Sequence, residues 1–139
     1  MSSRMSDAEL KKKRLDIIAA YAMTDPRFIE QPGWCQTLAR EVVQFKHGNR
    51  FDRYFYKGNA HNTARALSVS PYVVKGEPMP GDVLYWYGTP QEKDGHAAIL
   101  GRRGRFYENS IVHNHPEHGG KGTRYLSQKR KPDVIVRFP

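Results

Sequence analysis

A single cysteine in a chain of 139 residues can form no internal disulfide, so Cys35 is either a small buried apolar residue or a reactive thiol. Its setting, QPGWCQTLAREVVQF over residues 31 to 45, follows a Pro-Gly turn signal and opens a helical pattern. Cys35, Leu38, Ala39 and Val42 fall at i, i+3, i+4 and i+7. Backbone N–H groups at a helix start carry partial positive charge, which favours a thiolate and lowers a thiol pKa from its free value of about 8.5. The position suits a nucleophile, and it equally suits a small residue heading an apolar stripe.

A nucleophile needs a base, and the base needs a partner that fixes its orientation. Of the six histidines, His47, His61, His96, His113, His115 and His118, it is His96 that opens an apolar run, HAAIL, directly after Gly95. A polar ring there is either a base or a strand-edge histidine bonded to backbone. The following run, RFYENSIV, carries Glu108 and Asn109, and either could accept a hydrogen bond from the imidazole. Period-two geometry sets Phe106, Glu108 and Ser110 on one face and Tyr107 and Asn109 on the other, so one of the two faces His96. The spacing does not say which, and the pair also reads as strand-end residues entering a turn.

Two other constellations invite chemistry. His113, His115 and His118 with Glu117 could hold a divalent metal, although the Gly-rich flanks favour a solvated loop. FDRYFYKGN, residues 51 to 59, interleaves aromatics with Arg53 and Lys57, as grooves for single-stranded nucleic acid do. Aromatics beside cations also pack under charged stems, and no nucleic-acid motif accompanies them.

The elements that must position these groups follow from the periodicity. Ser6 with Glu9 fits a capping box, and the apolar stripe of Leu10, Ile17 and Tyr21 predicts one helix from Asp7 to Met23, ending before Asp25-Pro26. A second helix starts at or just before Cys35. Residues 46 to 81 read as irregular, with a short helical piece over 63 to 67. From there the period becomes two: 82–87, 96–100, 105–112 and 133–138 are predicted strands, and HNHPEHGGKG, residues 113 to 122, an exposed loop. Helices followed by antiparallel strands make an α+β order.

The length fits one domain, residues 1–139, with an N-terminal helical segment over 1–29 and a core over 30–139. The 38% apolar content supports a packed interior. The first 23 residues read as neither a secretory signal nor a membrane span. A net charge of +9 favours polyanionic surroundings: nucleic acid, anionic lipid or an anionic cell-wall polymer.

In order along the chain stand the helix-heading Cys35, KGNAHNTA (57–64), MPGDVLYW (79–86), GHAAIL (95–100) and GRFYENS (104–110). This series resembles the CHAP family of cysteine- and histidine-dependent amidohydrolases and peptidases, in the papain-like group that includes the NlpC-type cell-wall peptidases. The resemblance covers roughly residues 30 to 112. It implies a papain-like α+β domain with N-terminal helices on an antiparallel sheet, Cys35 as nucleophile, His96 as base, and Glu108 in preference to Asn109 as the residue orienting it. It implies acyl transfer to water at an amide bond of bacterial peptidoglycan, with no metal or organic cofactor and nucleic acid not the partner. The backbone N–H of Cys35 is the default oxyanion donor, with Gln31 and Gln36 as side-chain candidates. Trp34, Tyr85 and Trp86 either line a groove for glycan or peptide or belong to the core. Phage-type relatives carry a similar Glu-Asn-Ser ending. The expected setting is a phage particle, or synthesis in the bacterial cytoplasm followed by release or injection to the wall.

Overall fold

The computed structural model describes residues 4–28, 34–113 and 117–139. Five helices, α1 (Asp7–Leu10), α2 (Leu15–Ala22), α3 (Cys35–His47), α4 (Asp52–Phe55) and α5 (Ala60–Ser68), precede five strands, β1 (Val83–Trp86), β2 (His96–Leu100), β3 (Arg105–Asn109), β4 (Lys121–Tyr125) and β5 (Val134–Val136). The strands form one sheet in the order β4-β3-β2-β1-β5, with every pair antiparallel. The α+β architecture expected from the sequence is the one observed.

Both faces of the sheet are covered. Val83, Tyr85, Ala97 and Ile99 point to the helices and join Ile18, Leu38, Ala39, Val42 and Leu67 in the main core. Burying side chains of this size stabilises by roughly 1.5–3 kcal/mol each. The apolar positions 38, 39 and 42 therefore set the rotation of α3 and leave Cys35, one turn earlier, at the edge of the same stripe. On the other face Leu84, Trp86, Ala98, Leu100 and Phe106 make a second cluster, closed by Leu126 and Ile135. Because β4 and β5 lie at opposite edges, the chain between them must cross this face, and it does so over Trp86. The indole N–H donates to the Arg130 carbonyl at 2.7 Å, and the Lys129 ammonium sits 4.9 Å from the ring centroid.

Several sequence expectations need correction. The first helix is two, interrupted over Lys11-Lys12-Lys13-Arg14. Of the expected capping box the N-cap half is present, with the Glu9 N–H donating to Ser6 Oγ at 3.2 Å, while the Glu9 carboxylate accepts from the Ser6 hydroxyl at 2.9 Å. Lys46 of α3 donates to the carbonyls of Lys11 and Lys13 at 3.3 and 2.5 Å, so a side chain takes an oxygen that a continuous helix would have bonded. The stretch 46–81 is more helical than predicted: α4 was not foreseen and α5 exceeds the 63–67 piece. In FDRYFYKGN, Phe51, Tyr54 and Phe55 are core, with Arg53 stacked over the Tyr54 ring at 4.8 Å; only Tyr56 among these rings is exposed, so no stacking platform for bases exists there. The predicted loop over 113–122 ends too late, since Lys121 and Gly122 already belong to β4 and Lys121 is buried. His115 of the histidine cluster lies outside the described residues. Among the described residues no helix is long and apolar enough to cross a membrane.

Candidate active site

Cys35 is the first residue of α3, half-buried, and no side chain caps that helix start. The first ladder bond runs from the Leu38 N–H to the Trp34 carbonyl at 3.1 Å. The amides of the first turn are therefore left for whatever occupies the space beside the sulfur.

His96 opens β2 and is 3% exposed. Gly95 before it has φ +74°, and a Cβ there would stand 2.6 Å from the Trp86 carbonyl oxygen and 2.9 Å from the His61 nitrogen. Only glycine lets the β1–β2 connection close this tightly and start β2 with the ring at the sheet end. On one side the imidazole neighbours Cys35, whose sulfur bears on its titration. On the other, its Nε2–H donates to Glu108 Oε1 at 2.6 Å, which leaves Nδ1 as the nitrogen toward the thiol. Trp86 packs against the ring, centroids 5.6 Å apart.

Glu108 has no exposed surface. Besides His96, its carboxylate accepts from Arg124 Nε at 2.6 Å and Nη2 at 3.0 Å, and His113 Nε2 lies 3.3 Å from Oε2. Burial alone would raise the Glu108 pKa; the hydrogen bonds from His96 and Arg124, and their charges, outweigh it and hold the carboxyl down to about 2. Burial likewise disfavours a charged imidazole, and the interactions with Cys35 and Glu108 reverse that, pushing His96 up to about 9. A protonated ring at neutral pH thus stands between a thiol and an ionised carboxylate.

Of the two residues left open on β3, it is Glu108 that meets His96. Its neighbour Phe106 pairs with Leu100 of β2, so Glu108 shares the face of Leu100, Ala98 and His96. Asn109 faces the helices, where its side-chain amide donates to the Trp34 carbonyl at 3.5 Å and ties the approach to Cys35 onto the sheet.

The remaining sequence candidates separate. Trp34, Cys35 and Gln36 line a groove of about 350 Å³ together with Asn59, Asp94 and Gly95. Trp34 is half exposed at its rim. Gln36 donates through Nε2 to Thr63 Oγ1 at 3.0 Å, which uses one of its two amide N–H donors. Gln31 lies outside the described residues. Tyr85 and Trp86 do not line the groove, because both are fully buried. The period-two alternation sends Trp86 to the far face behind His96, and Tyr85 under the helices, where its hydroxyl lies near Cys35 and Gln36.

Sequence reasoning missed Arg124 and His113 as partners of Glu108. Arg124 sits on β4, a strand without apolar alternation. His113 had been grouped with a metal cluster, yet its Nε2 is turned to the carboxylate. Asn59 and His61, in the KGNAHNTA segment, act as ties: Asn59 caps α5 and donates to Asp94 Oδ1 at 3.1 Å, while His61 Nδ1 accepts from the Gly88 N–H at 2.8 Å.

A thiol on the wall of a groove, with an imidazolium and a buried carboxylate behind it, can deliver a sulfur nucleophile and a proton to one acyl centre. No family model matches the chain, and no curated protein does. Among solved structures, the NlpC/p60 domain of the peptidoglycan hydrolase SagA is similar, with 15% identity and a TM-score of 0.50 over 96% of this chain and all of that one. The protein therefore has the papain-like α+β fold of an NlpC/p60 domain.

Proposed function

We propose that this protein is a cysteine-dependent peptidoglycan hydrolase of CHAP type that cleaves an amide bond through a thioester. The observation that carries the proposal is His96 held between Cys35 and a buried, ionised Glu108. The groove beside the sulfur gives an extended substrate access, and the similar SagA domain is described as part of a peptidoglycan hydrolase.

Cys35 Sγ attacks the carbonyl carbon, with the helix-start amides facing the developing oxyanion. The C–N bond breaks as His96 Nδ1–H passes its proton to the leaving amine, and a thioester remains. His96, now neutral, takes a proton from water as the water oxygen attacks the thioester; the C–S bond breaks, freeing the acid and returning the thiolate–imidazolium pair. Glu108 keeps the Nε2 proton in place throughout.

Purified peptidoglycan incubated with wild type should release fragments bearing one new amine and one new carboxyl, whose masses identify the bond cut. Cys35→Ala should release none while keeping the wild-type melting temperature. Equal release by both proteins would refute a sulfur nucleophile.

A further inference from the structure

One cationic cavity has no part in the chemistry above. Between α2 and the end of the sheet remote from His96 lies a cavity of about 420 Å³, lined by Arg102 and Arg103 of the β2–β3 connection, by Arg105 at the start of β3, by Tyr107 and Tyr125, and by Asp16. Arg105 pairs with Tyr125 across β3 and β4, three positions along from the Glu108–Gly122 pair, so about 10 Å of strand separates this cavity from the catalytic carboxylate.

Its charge is uncompensated. Among the described residues none of the three arginines is in an ion pair, and the lining carboxylate, Asp16, is held by the Arg14 guanidinium at 3.0 and 3.1 Å. Three like charges within four residues repel one another, and the turn is strained to present them: Arg103 is in the left-handed region at φ +58°, which an L-residue adopts at a cost. The phenols are built in as well. A Cβ on Gly101 would lie 2.6 Å from the Tyr107 ring, so glycine is what lets that ring lie against the turn. The Tyr125 hydroxyl accepts from Arg105 Nη2 at 3.2 Å, which leaves its own proton to donate.

We propose that this cavity binds phosphate groups of a phosphodiester-linked cell-wall polymer, anchoring the protein while the groove at the other end of the sheet works. Guanidinium forks and phenolic O–H groups outnumber the acceptor sites of one carboxylate and suit the oxygens of a phosphodiester. The choice of a wall polymer as the source rests on the hydrolase reading; phosphate binding itself does not.

The test is calorimetric titration at low salt with a glycerol-phosphate oligomer, beside a single-stranded DNA oligomer of equal phosphate count. Arg102→Gln/Arg103→Gln should weaken the glycerol-phosphate oligomer at least tenfold. Lys11→Gln/Lys12→Gln, which removes the same charge from another surface, should leave it within twofold. Equal weakening by both pairs would show a general charge effect and overturn the site; equally tight DNA binding would overturn the choice of polymer. Binding is read without hydrolysis, so failure of the reaction and failure of this site are distinguishable.

Discussion

Glu108 carries the electrostatics of the site, because a carboxylate with no exposed surface stays ionised only where donors replace its lost water. Two side chains, His96 and Arg124, do so, and the charge it keeps helps to raise His96. Glu108→Gln preserves the shape and removes the charge, so the imidazolium should lose its proton at lower pH. The expected result is a fall in kcat of about 10²-fold or more at pH 8, with the alkaline limb of the pH profile moved toward neutrality. The same pair sets a stability window. His96, raised from 6.5 to about 9, contributes stability that is complete below 6.5 and lost as pH climbs through 9. Glu108, lowered from 4.5 to about 2, contributes stability present above 4.5 and lost as pH falls through 2. Urea midpoints of wild type should therefore peak between pH 4.5 and 6.5, and Glu108→Gln should flatten that peak; an unchanged profile would mean the pair is not coupled to folding. The thiol, the histidine and the acidic-amide pair were all legible in the sequence. The choice within the pair was not, because a period of two separates faces without saying which one the first residue of β2 shares.

At the scale of elements, the site depends on two starts, α3 beginning at Cys35 and β2 beginning at His96. The start of α3 could be read from its apolar stripe. The start of β2 is fixed by Gly95, whose φ of +74° and close approach to Trp86 and His61 leave no room for a side chain. Gly95→Ala must move the backbone that carries His96, so we expect a stability loss of about 1–3 kcal/mol together with a steep loss of kcat. Gly104→Ala makes the informative control, since Gly104 has a similar φ of +73° with nothing within 4 Å of an added Cβ. It should cost stability by strain alone and leave kcat unchanged. If the two variants lose activity in parallel, the clash at Gly95 is not what positions the histidine. Elements without apolar periodicity escaped the sequence reading for a physical reason: KGTRY of β4 earns its place through pairing with β3 and through Arg124 reaching Glu108, neither of which leaves an alternation to detect. The break between α1 and α2 was hidden likewise, because the Lys46 side chain that occupies the carbonyls is 33 residues from Lys13.

Over the whole molecule the decisive link is the one that carries the chain from one edge of the sheet to the other. After β4 the backbone crosses the sheet and adds β5 beside β1, which makes β1 an interior strand. Strand order of this kind depends on long-range pairing, so the sequence could name the strands at 82–87 and 133–138 without seeing that they are neighbours. MPGD supplies the latch. Asp82, almost fully buried, accepts the Met79 N–H at 2.8 Å and the Arg137 guanidinium at 2.8 and 2.9 Å; Gly81 turns the chain into β1 with φ +97°. The motif that resembles a family signature thus has a structural use at the sheet end remote from the thiol. Asp82→Ala should lower stability by about 2 kcal/mol, the scale of hydrogen bonds to a charged group, measured by urea unfolding. Well below the midpoint, the rate of Cys35 alkylation should match wild type, because β2 and α3 remain packed against the rest of the core. Faster alkylation of the folded variant would show that loosening β5 is transmitted to the helix start, and that the latch serves the site as well as the fold.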